Sequence, residues 1–572
     1  MIETRTRRAL PVLNDTPDPS DARVSLDALD GRLTEFRPEE VRRPSFHIWT
    51  LGCQMNKSDS EEMAGRLLAA GCPEAANLED ADLLVINTCA IRETAEAKVV
   101  GRQGRLAELK ERKPTLRVVL TGCAVRELDR ARLPRRYPSV DLFLRPDEEP
   151  EIAERLGLAS AQAPIGIALG VDSARTTVVN RTVVSAADML PGTRAEVVAA
   201  GAVRRASPIS AWLPIVYGCD KTCTYCIVPF TRGPERSRPF DDIVDEARAL
   251  AAAGYSEVTL LGQNVNSYGH DLGPEERFAH VRPERTTGRR IERGARPDLA
   301  ELLRAIDALE GPGGSPAIPR LRFLTSHPWD LSDRLIDAIA SARSVCEHLH
   351  LPVQSGDDVV LRRMGRQYTV GHYLDRIRAL RAAVPGIALS TDVIVGFCGE
   401  TDAQYRATLD LLEEVRFDQV FAAAFSPRPG TPAWHLPDDV PADVKRARLN
   451  GLLALQEGIG LARNRAWLGR SVEVLVDQSA TAGSHEHEDP ADGHRSDDSD
   501  PVAVAPPAHP AVAPPAHPAV APPAPGPGEA RLAGRTREGK LVHLVGPVDL
   551  VGTRVMARVV HAGPYSLRGI LA

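Results

Sequence analysis

From Ala211 to Pro427 the chain repeats one pattern, a short β-branched run followed by a helical stretch. The strand-like runs are AWLPIVYG, EVTLLGQ, RLRFLTS, HLHLPV, IALSTDVIVGF and QVFAAAFSP. Helical stretches such as FDDIVDEARALAAAG, SDRLIDAIASA and ETDAQYRATLDLLEEV fall between them. Right-handed crossovers linking six such units curl the sheet into an incomplete parallel barrel, with chemistry expected at the carboxyl ends of its strands.

The loop after the first of these strands holds Cys219, Cys223 and Cys226, spaced C-x3-C-x2-C. A structural zinc site closes with four ligands, and no fourth Cys or neighbouring His stands at zinc-finger spacing. Three thiolates holding a [4Fe–4S] cube leave one iron exposed, able to bind the amino and carboxylate groups of S-adenosylmethionine (SAM). The spacing matches the radical-SAM superfamily. An incidental buried trio or a zinc clamp is the competing reading.

Upstream, FHIWTLG, ADLLVINT and RVVLTG read as buried strands separated by helical SDSEEMAGRLLAAG and RETAEAKVVGRQGRLAELK, which makes an open parallel α/β domain. Cys53, Cys89 and Cys123 each follow the carboxyl end of one of these strands. Ligands gather at that edge of a parallel sheet, so a second three-cysteine cluster is expected there. Buried apolar filler is the alternative role for a cysteine.

With 572 residues the chain has room for several domains, and nine cysteines are too few for a disulfide-rich secreted scaffold. The first residues have no apolar signal-peptide core, and no apolar run approaches the roughly eighteen residues of a membrane span. A reducing cytoplasm is the expected setting. The net charge of −7 averages over an acidic stretch and leaves a local basic face open.

The expected organisation is a disordered leader at 1–44, an N-terminal domain at 45–160, a linker at 161–204, a partial (βα)6 barrel at 205–440 and a connecting helix at 441–467. A small β-barrel at 468–572 follows, split by a Pro/Ala-rich insert at about 479–530. The insert repeats AHPAVAPP and carries His485, His487 and His494, read as a solvated linker. An arginine-rich stretch between the second and third barrel strands reads as a surface insert.

GCQMNKSDSE, INTCAIRETAEAKV, GCDKTCTYCIVPFTRGPERSRP, EVTLLGQNVNSYG, RFLTSHPWDL, HLHLPVQSGDDVVLRRM, STDVIVGFCGET and SPRPGTPA together resemble the radical-SAM methylthiotransferases, from about Ser45 onward. Gln54, Met55 and Asn56, after the first cysteine, are similar to the branch acting on isopentenyladenosine in tRNA. The resemblance implies two [4Fe–4S] clusters, one on Cys53, Cys89 and Cys123 and one, with SAM, on the catalytic Cys219, Cys223 and Cys226. It also implies a C-terminal TRAM domain, an OB-like barrel that grips RNA. The implied activity is insertion of a methylthio group at C2 of isopentenyladenosine next to the anticodon. Implied partners are that tRNA, an electron donor such as flavodoxin or ferredoxin, and iron–sulfur assembly machinery, for a monomer that makes no membrane contact. Related substrates remain open: threonylcarbamoyl adenosine in tRNA or a ribosomal-protein aspartate. So does a non-catalytic, metal-stabilised RNA-binding protein.

Tyr225, Gln263, Asn264, Gln354, Ser355 and Asp392 are candidate SAM or substrate contacts, because each stands in the cluster loop or near the end of a barrel strand. Packing, barrel-layer or capping roles are the alternatives. Gly396 and Glu400 suit a close backbone approach followed by a helix start. Cys398 stands where the family usually has proline, and is read, with Cys72 and Cys346, as no ligand. His348 and His350 alternate on a strand and read as structural. Arg535, Arg537, Lys540, Arg554 and Arg558 are expected to supply RNA-facing charge.

Overall fold

A computed structural model describes residues 43–90, 93–126, 129, 131–158, 203–272, 297–480, 525–526 and 528–572. The expected leader, linker, arginine-rich insert and Pro/Ala-rich insert lie, apart from their edges, outside the described residues. The chain divides into two compact units. One comprises the residues up to Gly52 with Glu62–Arg204, the other Cys53–Glu61 with Arg205–Ala572.

In the first unit β1 (Phe46–Leu51), β2 (Leu83–Thr88), β3 (Arg117–Thr121) and β4 (Leu142–Phe143) form one parallel sheet in that order. Period-two alternation sends Leu83 and Val85 to one face, with Phe46, Met63 and Leu67. Leu84 and Ile86 go to the other, with Leu106, Val118 and Leu120. Burial on both faces explains why β2 reads as an unbroken apolar run. β4 spans two residues, too short to leave a periodic signal. The helix expected over RETAEAKVVGRQGRLAELK is two helices, Glu93–Gly101 and Gln103–Arg112. Gly101 and Gly104 weaken helix propensity at the join, where the Arg102 guanidinium lies 4.4 Å over the Trp49 ring.

The second unit opens with β5 (Ser210–Pro214). A ribbon of β6 (Val216–Tyr217) against β7 (Arg236–Ser237) follows, and then β8 (Glu257–Leu261), β9 (Arg320–Phe323), β10 (His348–His350), β11 (Ala388–Val395) and β12 (Gln419–Ala424). β5-β8-β9 and β10-β11-β12 are each parallel, and a parallel bridge between Leu321 and Val345 joins the two groups. Helices Phe240–Ala252, Leu299–Asp307, Asp333–Ser341, Val370–Ala383 and Asp402–Val415 connect successive strands, as expected of a partial barrel. Asp298, Ser332, Thr369 and Thr401 cap four of these helices through their side chains. One apolar core, including Leu213, Leu260, Leu321, Leu349 and Leu389, runs between strands and helices.

Helix Ala442–Arg465 leads to a closed five-stranded barrel of β13 (Ser471–Ala480), β14 (Glu529–Arg535), β15 (Leu541–Pro547), β16 (Arg554–Ala562) and β17 (Leu567–Leu571). Four of these strands fall on the segments SVEVLVDQ, GKLVHLVGP, TRVMARVVHAG and SLRGILA, which read as strands, whereas β14 begins inside the expected insert. Its inward residues are Ala530, Leu532 and Gly534, and small side chains carry little hydrophobic signal.

The turn between β14 and β15 docks on the N-terminal ends of the large-barrel strands. Arg320, fully buried at the start of β9, donates to the Arg535 carbonyl (2.6 Å) and to Glu473 (3.0 Å). Arg322 donates to the carbonyls of Thr536 (2.8 Å) and Arg537 (2.9 Å). Arg537 in turn binds Glu347 (2.8 Å) and the Val345 carbonyl (2.6 Å). Lys540, buried, pairs with Asp418 of the large barrel, so Arg537 and Lys540 are committed to this joint rather than facing RNA. They hold the small barrel to the large one, and the expectation for these two is corrected.

Candidate cluster and SAM site

The loop from Gly218 to Glu235 is closed at its base by the β6–β7 ribbon, which sets Cys219, Cys223 and Cys226 at the carboxyl end of the first barrel strand. Gly218 has φ +74°, and a Cβ there would lie 2.0 Å from the Pro234 carbonyl oxygen, so the two arms meet only because this residue is glycine. Gln263 accepts a hydrogen bond from the Gly218 N–H. Burial pushes the Cys219 thiol up to about 11 and the Cys226 thiol up to about 12, so ligation by these residues would release protons.

Around this loop several buried polar atoms lack partners. Asn264 donates to Asp330 (2.7 Å), which also binds Lys221 (2.8 Å), but its own Oδ1 has none. Both amide atoms of Asn266 and the Ser326 hydroxyl are also buried without partners. These groups follow β8 and β9, and orphaned polar atoms there suit a polar ligand. Thr325 (φ 70°) and Gln354 (φ 71°), at the ends of adjacent strands, hold left-handed backbone despite their side chains. Such strain is tolerated where function requires it. Gln354 is a candidate contact from its place after a strand, but neither its positive φ nor that of Thr325 carries a signal in the sequence.

The other candidates have defined surroundings. Tyr225 packs edge-on to Phe397, with ring centroids 6.5 Å apart. Ser355, buried, accepts from the Asp357 N–H (3.3 Å) and lies 3.5 Å from the Thr408 hydroxyl, so its contacts are those of a turn-capping residue. Asp392 is partly exposed and lies 3.4 Å from His350 Nε2, while His350 Nδ1 lies 3.0 Å from Ser390 Oγ. Glu400 accepts from the Gly396 N–H and pairs with Arg448, both at 2.9 Å, and the helix that follows is started by Thr401. Cys398 sits in an apolar cluster with Phe397, Phe425 and Met364. Glu235, missed in the sequence, has its carboxyl pushed up to about 7 by burial and by Asp271, Asp220 and Asp330, against a stabilising hydrogen bond from Ser267.

In the other unit, backbone register sets Leu51 beside Thr88 and Asn87 beside Thr121, so the three strand ends that precede Cys53, Cys89 and Cys123 are neighbours. Cys89 and Cys123 are buried. Gly122 has φ +90°, and a Cβ would lie 2.2 Å from the Thr88 carbonyl oxygen, so glycine alone permits β3 to end this close to β2. The Thr88 hydroxyl is buried without a partner. Among the described residues no three His, Cys, Asp or Glu are gathered as ligands of a single metal ion would be. A cube places its three cysteines on three different irons, so they need not gather so tightly.

The family model described as the radical SAM superfamily matches residues 213–412, and that described as uncharacterized protein family UPF0004 matches 45–145. The tRNA-2-methylthio-N(6)-dimethylallyladenosine synthase of Thermoanaerobacter pseudethanolicus is 37% identical over 92% of each chain. The chain belongs to that enzyme's family. The namesake from Geobacillus thermodenitrificans is 39% identical over 93% of this chain and 84% of its own. Among solved structures, the radical SAM methyltransferase TsrM from Kitasatospora setae aligns with a TM-score of 0.45 at 15% identity, covering 69% of this chain and 74% of that one. Membership of the radical SAM superfamily implies a [4Fe–4S] cluster and SAM for this family member. Among the described residues no helix is long and apolar enough to cross a membrane.

Proposed function

We propose that this chain is a radical-SAM tRNA methylthiotransferase that places a methylthio group on C2 of isopentenyladenosine next to the anticodon. The observation that carries the reading is the Gly218–Glu235 loop, which presents three cysteines at a barrel mouth beside buried polar atoms with no partner among the described residues. Cys219, Cys223 and Cys226 would hold the SAM-binding cluster, and Cys53, Cys89 and Cys123 an auxiliary one. Given one electron from a low-potential donor, such a cluster with SAM would supply the radical chemistry needed to take the unactivated hydrogen from adenine C2.

The chain's own side chains bind and orient. Asn264 Oδ1 and Asn266 offer unsatisfied amide groups to SAM, Gln263 fixes the base of the cluster loop, and Tyr225 covers it. Gln354 and Asp392 offer polar groups near the strand ends, and Ser355 holds the turn after Gln354. Phe230, Trp329 and Trp434, all exposed in short helical turns that follow barrel strands, provide faces on which RNA bases can stack. A target nucleotide must leave its stack for C2 to be reached.

Anaerobic reconstitution tests the proposal. Loaded protein should hold about eight irons, four per cube, and release 5′-deoxyadenosine on reduction with SAM. Isopentenyl-modified tRNA should gain a methylthio group by nucleoside mass spectrometry. Cys219→Ala should abolish SAM cleavage, whereas Cys89→Ala should retain cleavage and lose sulfur transfer. Bound zinc without SAM cleavage would favour a non-catalytic RNA-binding protein. Unchanged isopentenyl tRNA alongside modified threonylcarbamoyl adenosine or ribosomal-protein aspartate would move the substrate to a relative's.

A further inference from the structure

Helix Asp358–Arg363 ends in a turn that lies directly against the cysteine loop. The Thr224 N–H donates to the Met364 carbonyl and its hydroxyl to the Arg363 carbonyl, both at 2.9 Å. Gly365 has φ +70°, and a Cβ there would lie 2.5 Å from the Thr222 carbonyl oxygen, so only glycine admits this approach.

The next residue, Arg366, is buried, and each of its three guanidinium nitrogens donates a hydrogen bond. Nη1 donates to Cys223 Sγ (3.3 Å), Nε to the Tyr368 hydroxyl (3.1 Å) and Nη2 to the Pro352 carbonyl (3.0 Å). The guanidinium also lies 5.3 Å from the Tyr368 ring centroid. None of these partners is a carboxylate. A buried cation without a counter-charge is strongly unfavourable, so the arrangement calls for an anion at the sulfur it faces.

We propose that Arg366 is the counter-cation of the Cys219–Cys223–Cys226 cluster, a positioning residue that orients the Cys223 sulfur and raises the cluster's reduction potential. The inference rests on the reading that these cysteines hold a [4Fe–4S] cube. Three thiolates around such a core leave net negative charge, and one added electron deepens it. A fixed positive charge and a hydrogen bond at one sulfur therefore favour the reduced state over the oxidised one. The electron comes from a low-potential one-electron donor, dithionite in the assay, and no ligand bond is broken.

The test is an EPR-monitored redox titration of the full chain, reconstituted anaerobically, following the reduced-cluster signal that changes when SAM is added. Arg366→Met should lower the ratio of reduced to oxidised cluster about tenfold at a fixed potential, a shift of about 59 mV to more negative values. Arg366→Lys, which keeps the charge, should recover most of the loss. Should the Met variant fail to fold, Arg366→Gln removes the charge while keeping a donor, and its midpoint should also fall. An unchanged midpoint in a loaded Met or Gln variant overturns the proposal. A parent protein that takes up no cluster overturns the cluster reading instead.

Discussion

Lys540 Nζ lies 2.6 Å from Asp418 Oδ1, joining the β14–β15 turn of the small barrel to the residue just before β12 of the large one. Arg463 completes the group, 2.8 Å from Asp418 Oδ2. Lys540 and the Asp418 carboxylate are buried while Arg463 is a quarter exposed, so removing the anion leaves the Lys540 ammonium buried without its counter-charge. Asp418→Ala should cost about 3–5 kcal/mol. Denaturant melts check the loss, and hydrogen exchange should show its protection deficit concentrated in strands β13 to β17.

Acid should loosen the same joint. Burial raises the Asp418 carboxyl, but hydrogen bonds and charge from Arg463 and Lys540 outweigh it and hold the group below the usual carboxylate range. A depressed folded pKa gives stability that is present above the unfolded value, about 3.9, and lost as pH falls through the folded one. Thermal melts from pH 6 to about pH 3 should show a steeper decline for the parent than for Asp418→Asn, where this titration is absent.

Gly122→Ala tests the strand-end geometry beside Cys89 and Cys123. The left-handed φ costs about 1–2 kcal/mol for any Cβ, and the contact with the Thr88 carbonyl adds about 1–3 kcal/mol more. Reconstituted variant should fall from about eight irons toward about four while still cleaving SAM. Full iron uptake with normal sulfur transfer would show that β3 can retreat from β2 without disturbing the site.

A smaller effect is expected at Thr401, whose side chain and that of Gln404 form a reciprocal capping box at the start of helix Asp402–Val415. Thr401→Ala should destabilise the protein by about 1 kcal/mol, read from the denaturation midpoint, without change in SAM cleavage.

The sequence carried the parallel architecture well, because LLVINT and IALSTDVIV are β-branched, strand-like runs separated from their neighbours by helical stretches. It placed the six cysteines at strand ends for the same reason: a strand's carboxyl end is visible as the point where β-branched residues stop. What it did not carry depends on partners remote in the chain. Arg320 sits inside a strand-like run, and its acceptor, the Arg535 carbonyl, is 215 residues away. Arg537 and Lys540 read as solvent-facing charge because a charged residue in a Gly-bearing turn normally is. Arg366 gave no periodic or motif signal at all, and its importance shows only in the sulfur it faces.

Strand β14 has two ends with different obligations. Beyond Arg535 the chain turns into the docked hairpin, while before Glu529 it arrives from the stretch that follows Ala480. Seven residues of strand separate them, roughly 20 Å. Lengthening or recoding that stretch therefore acts at the far rim, insulated from the joint. It is a natural splice port, where a reporter or affinity handle can be grafted with the two barrels still latched together.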